Sequence, residues 1–179
     1  MEFNSEHIKS IIRIVPDFPK KGIHFYDIFP LFQNPAALES VITHITDHIK
    51  AQNKEPVDAI VGLDARGFLF GALVCARLGV PFVPVRKAGK LPGQTVQVCY
   101  TKEYGQDVFE MQSDAIKPGQ KVVVIDDLIA TGGSALAAGE LVAQLGGQVV
   151  EFIFMIELEG LDGTAQLKSP VYSLFKCPC

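Results

Sequence analysis

Apolar residues recur along the chain with two periods, one helical and one strand-like. Ile8, Ile11 and Ile12 fall on one face at helical spacing, so Glu6–Ile14 is predicted as a helix with Ser5 as its N-cap. Residues 16–33 carry three prolines and aromatic clusters, and read as an extended, ordered segment. Asn34-Pro35 pairs an N-cap residue with proline at the first helical position, which predicts a helix over Pro35–Ala51. Strands are expected at Val57–Leu63, Phe82–Val85 and Val149–Ile156, with a helix over Gly67–Leu78. Val122–Ile125 is four apolar, mostly β-branched residues, the mark of a strand buried on both faces. Residues 87–94 form a loop, and Thr95–Tyr100 with Val108–Gln112 alternate as a hairpin-like pair. A helix over Ala135–Leu145 and an edge strand at Tyr172–Lys176 complete the series. The alternation predicts one α/β domain over 1–179, a mainly parallel, twisted sheet flanked by helices. Ligands of such sheets bind at the carboxyl ends of the strands.

Composition narrows the class. A chain of 179 residues with 48% hydrophobic and 20% charged residues has material for a full core. A net charge of −4 argues against a general nucleic-acid binder, so an anionic ligand needs local positive charge. No window holds the roughly 20 apolar residues that span a bilayer, and the polar start MEFNSEHIKS has no secretory core. Cys75, Cys99, Cys177 and Cys179 lack C-x-x-C spacing and read as free thiols of a reducing cytoplasm. His44 and His48 stand at i and i+4 without an H-E-x-x-H pattern, and are expected to decorate a helix face.

The chemistry concentrates in VVVIDDLIATGGSA, residues 122–135. Asp126 and Asp127 are expected to end the strand, and Ala130, Thr131, Gly132, Gly133 and Ser134 to turn into the next helix. Backbone N–H groups at such a turn point at an anion, and the helix dipole favours it. Thr131 and Ser134 add hydroxyl donors. The two acids stand where sugar hydroxyls or a phosphate-bound Mg²⁺ would lie. The run is not a G-x-x-x-x-G-K-[ST] loop, and the chain has no G-x-G-x-x-G.

Three further segments carry charge at strand ends. In GLDARGF, Asp64, Ala65 and Arg66 repeat the theme of strand, turn and helix start, with the Arg66 fork suited to pyrophosphate. Arg86, Lys87 and Lys90 put three cations in a short loop that would stabilise a departing anion, and Gly89 and Gly93 would let it move. Glu103 lies between Tyr100 and Tyr104 at the expected hairpin turn.

These runs resemble the type I phosphoribosyltransferases, and most closely the adenine phosphoribosyltransferase family. The resemblance rests on PDFPKKGIHFYDIFPL, GLDARGFLFG, RKAGKLPG, KEYG and PGQKVVVIDDLIATGGS, and covers nearly the whole chain. It implies transfer of the 5-phosphoribosyl group of 5-phosphoribosyl 1-pyrophosphate (PRPP) to N9 of adenine, giving AMP and pyrophosphate. It also implies Mg²⁺ carried by PRPP, cytoplasmic purine salvage and a homodimer. By the same resemblance Ala130–Ser134 hold the 5′-phosphate, and Asp126 and Asp127 face the ribose. Asp64, Ala65, Arg66, Lys87 and Lys90 hold pyrophosphate. Glu103 acts at N7 of the base and Tyr104 helps close the site. Phe25 and Leu128 sandwich the purine, with Ile23, His24 and Tyr26 beside it. Residues 1–34 would form a hood over the base, and 87–112 a mobile loop and hairpin.

Two positions depart from the family pattern. Tyr26 stands where many members carry arginine, and Ala65 where serine is more usual. The first loses a charged fork near the base and opens the question of another base; the second loses one hydroxyl. A PRPP-binding regulator without turnover is the remaining alternative. It would want a DNA-binding extension, and the first helix offers no basic patch.

Overall fold

The computed structural model describes residues 3–53, 55–102 and 105–179, with side chains of 101, 102, 105 and 106 excepted. The amino-terminal part is α1 (Ser5–Ile11), β1 (Arg13–Pro16), β2 (His24–Asp27), α2 (Phe29–Phe32) and α3 (Pro35–Gln52). The body continues as β3 (Ala59–Leu63), α4 (Arg66–Leu78), β4 (Phe82–Lys87), β5 (Thr95–Lys102) and β6 (Gly105–Gln112). It ends with β7 (Lys121–Ile129), α5 (Gly133–Gln144), β8 (Gln148–Glu159), a 3-10 turn (Gly163–Gln166) and β9 (Val171–Pro178).

Among the described residues the main sheet has seven strands in the order β5-β6-β4-β3-β7-β8-β9. β4, β3, β7, β8 and β9 run parallel, and the antiparallel hairpin β5–β6 joins the β4 edge. The expected α/β sheet is therefore present. β1 and β2 pair separately as a small antiparallel ribbon.

Burial on both faces explains the apolar run of β7. Val123 and Ile125 pack with α3 and α4 on one side, while Val122 and Val124 pack with α5 on the other. Successive side chains of a strand point to opposite faces, so one strand joins both cores. Asn34 caps α3 as its sequence implies, its side chain accepting from Ala37 N at 3.1 Å. The cap of α1 is Asn4, one residue before the expected Ser5, and α1 stops at Ile11 because the chain then extends into β1.

Two expectations need correction. The acids do not end β7: pairing with β3 stops at Ile125, but pairing with β8 continues to Ile129 opposite Glu157. Asp126 and Asp127 thus lie on a strand supported from one side only. His44 and His48 do lie on one face of α3, as expected, but that face is packed against the sheet and its polar partners. His44 Nε2 lies 2.6 Å from the Tyr172 hydroxyl and His48 Nε2 lies 2.7 Å from Glu151 Oε1, tying α3 to β9 and β8. Burial lowers the proton affinity of His44.

Candidate active site

The carboxyl ends of β4, β3 and β7 stand side by side, and each delivers charged residues to one edge of the sheet. β4 brings Arg86 and Lys87, the turn after β3 brings Asp64 and Arg66, and β7 brings Asp126 and Asp127.

Residues 130–134 form the turn from β7 into α5. With Asp126, Leu128, Ile129, Ala135 and Phe154 they line a cavity of about 170 Å³. No side chain caps α5; its N-cap is Gly132 at φ +82°, so the amides of the first turn have no side-chain partner there. Uncapped amides beside hydroxyls make an anion site. The outer wall of the turn comes from a segment that the sequence did not flag. A Cβ on Gly132 would lie 2.1 Å from the Gly163 carbonyl oxygen, and one on Gly163 would lie 2.0 Å from that of Ala130. Gln166 donates its side-chain amide to the Thr131 carbonyl. The only sequence sign was Gly163 itself, in a stretch without other motif residues.

Arg66 joins the acids to the β1–β2 ribbon. Its Nε lies 3.0 Å from Asp127 Oδ2, yet the N–H is not aimed at that oxygen, so the contact is an ion pair and not a hydrogen bond. Its guanidinium carbon stands 5.1 Å from the centroid of Phe25, close enough for a cation–π contact. Asp126 Oδ1 accepts the N–H of Asp127 at 2.9 Å. Burial, then the adjacent charge of Asp127, raises the proton affinity of Asp126 well above the usual carboxylate range. Burial also raises that of Asp127, and Arg66 opposes it.

Asp64 accepts from Arg86 Nε at 2.9 Å and does not cap α4, whose N-cap position is Ala65. The Ala65 side chain is exposed. Lys87 Nζ lies 3.3 Å from Asp107 Oδ2. Gly89 and Gly93 take φ of +79° and +81° as turn positions.

In the ribbon, Phe25 faces Arg66 and packs edge-on against Phe18 at 5.1 Å. Tyr26 is turned away, which corrects its placement beside the base. It is only 5% exposed, lies in the core with Ile28 and Leu31, and its hydroxyl donates to the Pro178 carbonyl at 2.7 Å. The cause is strand alternation: neighbours in β2 point to opposite sides, so Phe25 at the site puts Tyr26 in the core. Ile23 N–H is spent on the Lys20 carbonyl at 3.2 Å, which leaves less of its backbone to read a base. The His24 side chain is exposed, and Leu128 borders the cavity of the 130–134 turn. Arg13 clamps the ribbon through Asp27, whose carboxyl is held below its usual range chiefly by that hydrogen bond. Glu103 and Tyr104 lie outside the described residues.

Residues 30–178 match the phosphoribosyl transferase domain family. The adenine phosphoribosyltransferase of Yarrowia lipolytica is 55% identical over 168 residues, 93% of this chain and 92% of that protein. The crystal structure of the adenine phosphoribosyltransferase of Saccharomyces cerevisiae, complexed with adenine and an imino-altritol bisphosphate, aligns with a TM-score of 0.93. Its identity is 47%, over 96% of this chain and 98% of that one. The Trypanosoma brucei adenine phosphoribosyl transferase, in complex with AMP, pyrophosphate and ribose-5-phosphate, aligns with a TM-score of 0.88. Its identity is 28%, over 96% of this chain and 78% of that one.

Proposed function

The chain belongs to the adenine phosphoribosyltransferase family, and from that premise we propose how its own residues divide the work of the reaction. The enzyme transfers the 5-phosphoribosyl group of PRPP to N9 of adenine; the bond from C1 of the ribose to pyrophosphate breaks, a bond to N9 forms, the ring gives up its imidazole N–H proton, and pyrophosphate and AMP leave. Little covalent work falls to the protein. It holds two reactants in line, neutralises the leaving anion and excludes water.

Ala130, Thr131, Gly132, Gly133 and Ser134 bind the 5′-phosphate. The observation that carries this assignment is the uncapped start of α5, opening on a cavity bordered by Asp126. Asp126 and Asp127 accept the ribose hydroxyls. Arg66, Lys87 and Lys90 supply charge to the departing pyrophosphate, beside Asp64 and Ala65. Phe25 and Leu128 sandwich the purine. Glu103 acts at N7 of the base and Tyr104 helps to close the site. Residues 1–34 serve as a hood and 87–112 as the loop and hairpin over the site.

Mg²⁺ fits this donor set when it arrives on PRPP. Among the described residues no three metal-ligating side chains converge, and Mg²⁺ commonly uses one or two carboxylates plus substrate oxygens. The charge of Asp127 raises the proton affinity of Asp126, an effect that a cation beside the pair would offset. The ion supplies charge to the pyrophosphate; the protein residues orient the sugar.

Two wider readings follow from the same premise. A homodimer is supported by exposed apolar side chains at Ile14, Phe18, Ile23, Phe29, Leu69 and Leu73. A reducing, cytoplasmic setting is supported by four free thiols, and no described helix is long and apolar enough to cross a membrane.

Steady-state rates with PRPP and each of adenine, hypoxanthine, guanine and orotate test the assignment. Adenine should exceed the others by orders of magnitude, because a site built to pair a 6-amino edge leaves buried groups unpaired against a 6-oxo edge. Comparable efficiency with hypoxanthine would overturn the base assignment, and binding of PRPP without release of pyrophosphate would overturn turnover itself. Glu103→Ala should lower the turnover number by about 10²–10⁴-fold with a smaller change in adenine binding.

A further inference from the structure

Glu110 is a carboxylate where the sheet has little reason to bury one. It sits in β6, 2% exposed, opposite both Arg86 of β4 and Gln97 of β5. Its Oε1 accepts the backbone N–H groups of Lys90 and Leu91, each at 2.8 Å. Its Oε2 accepts from Thr95 Oγ1 and Gln97 Nε2, each at 3.3 Å. Burial alone would raise its proton affinity, but the N–H groups of Leu91, Gly89 and Lys90 outweigh it and hold the carboxyl below its ordinary range. Glu110 therefore fills, from behind, the backbone nest of the basic loop.

The loop is laced to β6 along its length. Ala88 N–H bonds the Val108 carbonyl, Gln112 donates to the Pro92 carbonyl, and Ser113 N–H bonds that of Gln94. Within it Lys90 is held twice: its N–H by Glu110, and its carbonyl by Arg86 Nη1 at 3.1 Å, while Arg86 Nε is anchored on Asp64. With the nest filled, the loop meets an incoming anion through its lysine ammonium groups, and their position depends on how the backbone beneath them is fixed.

We propose that Glu110 is a positioning residue that fixes the backbone of Lys90, so that its ammonium meets the pyrophosphate leaving PRPP. This rests on the assignment of Lys90 to pyrophosphate given above. Glu110 touches no substrate; it acts through the loop, at a stage when charge must already be in place.

The experiment is a double-mutant cycle read in the reverse direction, with AMP and pyrophosphate as substrates. Lys90→Ala should raise the KM for pyrophosphate about tenfold and leave that for AMP within about twofold, as expected for one lost charge-assisted contact. Glu110→Gln keeps one oxygen for the Lys90 and Leu91 N–H groups but loses the charge that strengthens those bonds and sets an NH2 donor against the Gln97 amide, so it should show the same split in weaker form. The double variant should be no worse than Lys90→Ala alone. Effects that multiply, or a Glu110→Gln defect shared equally by AMP and pyrophosphate, would mean that Glu110 only supports the fold. If Lys90→Ala is silent toward pyrophosphate, the assignment of Lys90 fails, and the proposal with it. If Lys90→Ala shows the split and Glu110→Gln does not, only the proposal fails. Should Glu110→Gln not fold, Glu110→Asp keeps the charge and withdraws it by one methylene. It should then show the pyrophosphate-specific rise in weaker form, and equal losses toward both substrates would refute the idea.

Discussion

A carboxyl whose proton affinity is raised by folding binds more protons folded than unfolded. Its stability contribution therefore falls as pH climbs from the ordinary carboxylate value, near 4, through the raised one. Asp126 is such a group, raised by burial and by the charge of Asp127. Asp126→Asn keeps an oxygen for the Asp127 N–H and removes the charge. It should raise the melting temperature of the ligand-free protein at pH 7.5 by about 2–4 °C, the equivalent of roughly 1 kcal/mol. The same variant should raise the KM for PRPP tenfold or more, and a parental KM would show that the acid is structural. Gly163 offers a second case, because its requirement is contact and not phosphate. A methyl group there would press on the Ala130 carbonyl from 2.0 Å. Gly163→Ala should thus mimic Gly132→Ala, each weakening PRPP by at least tenfold, although only Gly132 belongs to the turn itself. Equal PRPP affinity in Gly163→Ala and parent, measured by calorimetry, would show that the outer wall does not shape the turn.

Tyr26 ties the ribbon of β1 and β2 to the body, its hydroxyl bonding the Pro178 carbonyl of β9. Tyr26→Phe deletes a buried hydroxyl and its bond to the carbonyl of the exposed Pro178, a loss of about 0.5–1.5 kcal/mol. If the ribbon carries the base through Phe25, the KM for adenine should rise several-fold while that for PRPP holds, since the phosphate turn lies on β7 and α5. Equal changes in both constants would detach the ribbon from base binding. Much of this architecture was legible beforehand. Asn34-Pro35 announced α3, and the unbroken apolar run of β7 announced a strand covered on both faces, because cap chemistry and two-sided burial are local signals. The reach of β7 to Ile129 was not legible. It depends on β8 still pairing after β3 has stopped, and a strand's length is set by its neighbours. The direction of Tyr26 was hidden for the same reason. Between prolines, the register of β2 against β1 does not show in the residues, and alternation is decisive only once the strand is known. Glu110 and Gln166 were hidden as well, since a lone polar residue carries no sign of the backbone it will meet.

Charge and apolar surface are unevenly shared over the molecule. Leu69 and Leu73 stand exposed on the outer side of α4, whose inner side packs against the sheet. If the proposed homodimer uses this face, Leu73→Glu should shift sedimentation toward the monomer at micromolar concentration, while an unaltered sedimentation coefficient would remove α4 from the proposed interface. The sheet and the 130–134 turn answered to the sequence because their signals lie within stretches of about fifteen residues. The walls around the site did not, because each is closed by distant chain. Gln166 reaches the Thr131 carbonyl across 35 residues, and Tyr26 reaches Pro178 across 152. Contacts that span so much chain form late, after the loops between them have closed. A nascent chain that has emerged only as far as β8 already holds every residue of the 130–134 turn, yet lacks the wall behind it and the strand that anchors the β1–β2 ribbon. Affinity for either substrate should therefore be among the last properties gained on the ribosome or in refolding, trailing the recovery of secondary structure, and ligand capture would serve as a reporter of the docking of β9.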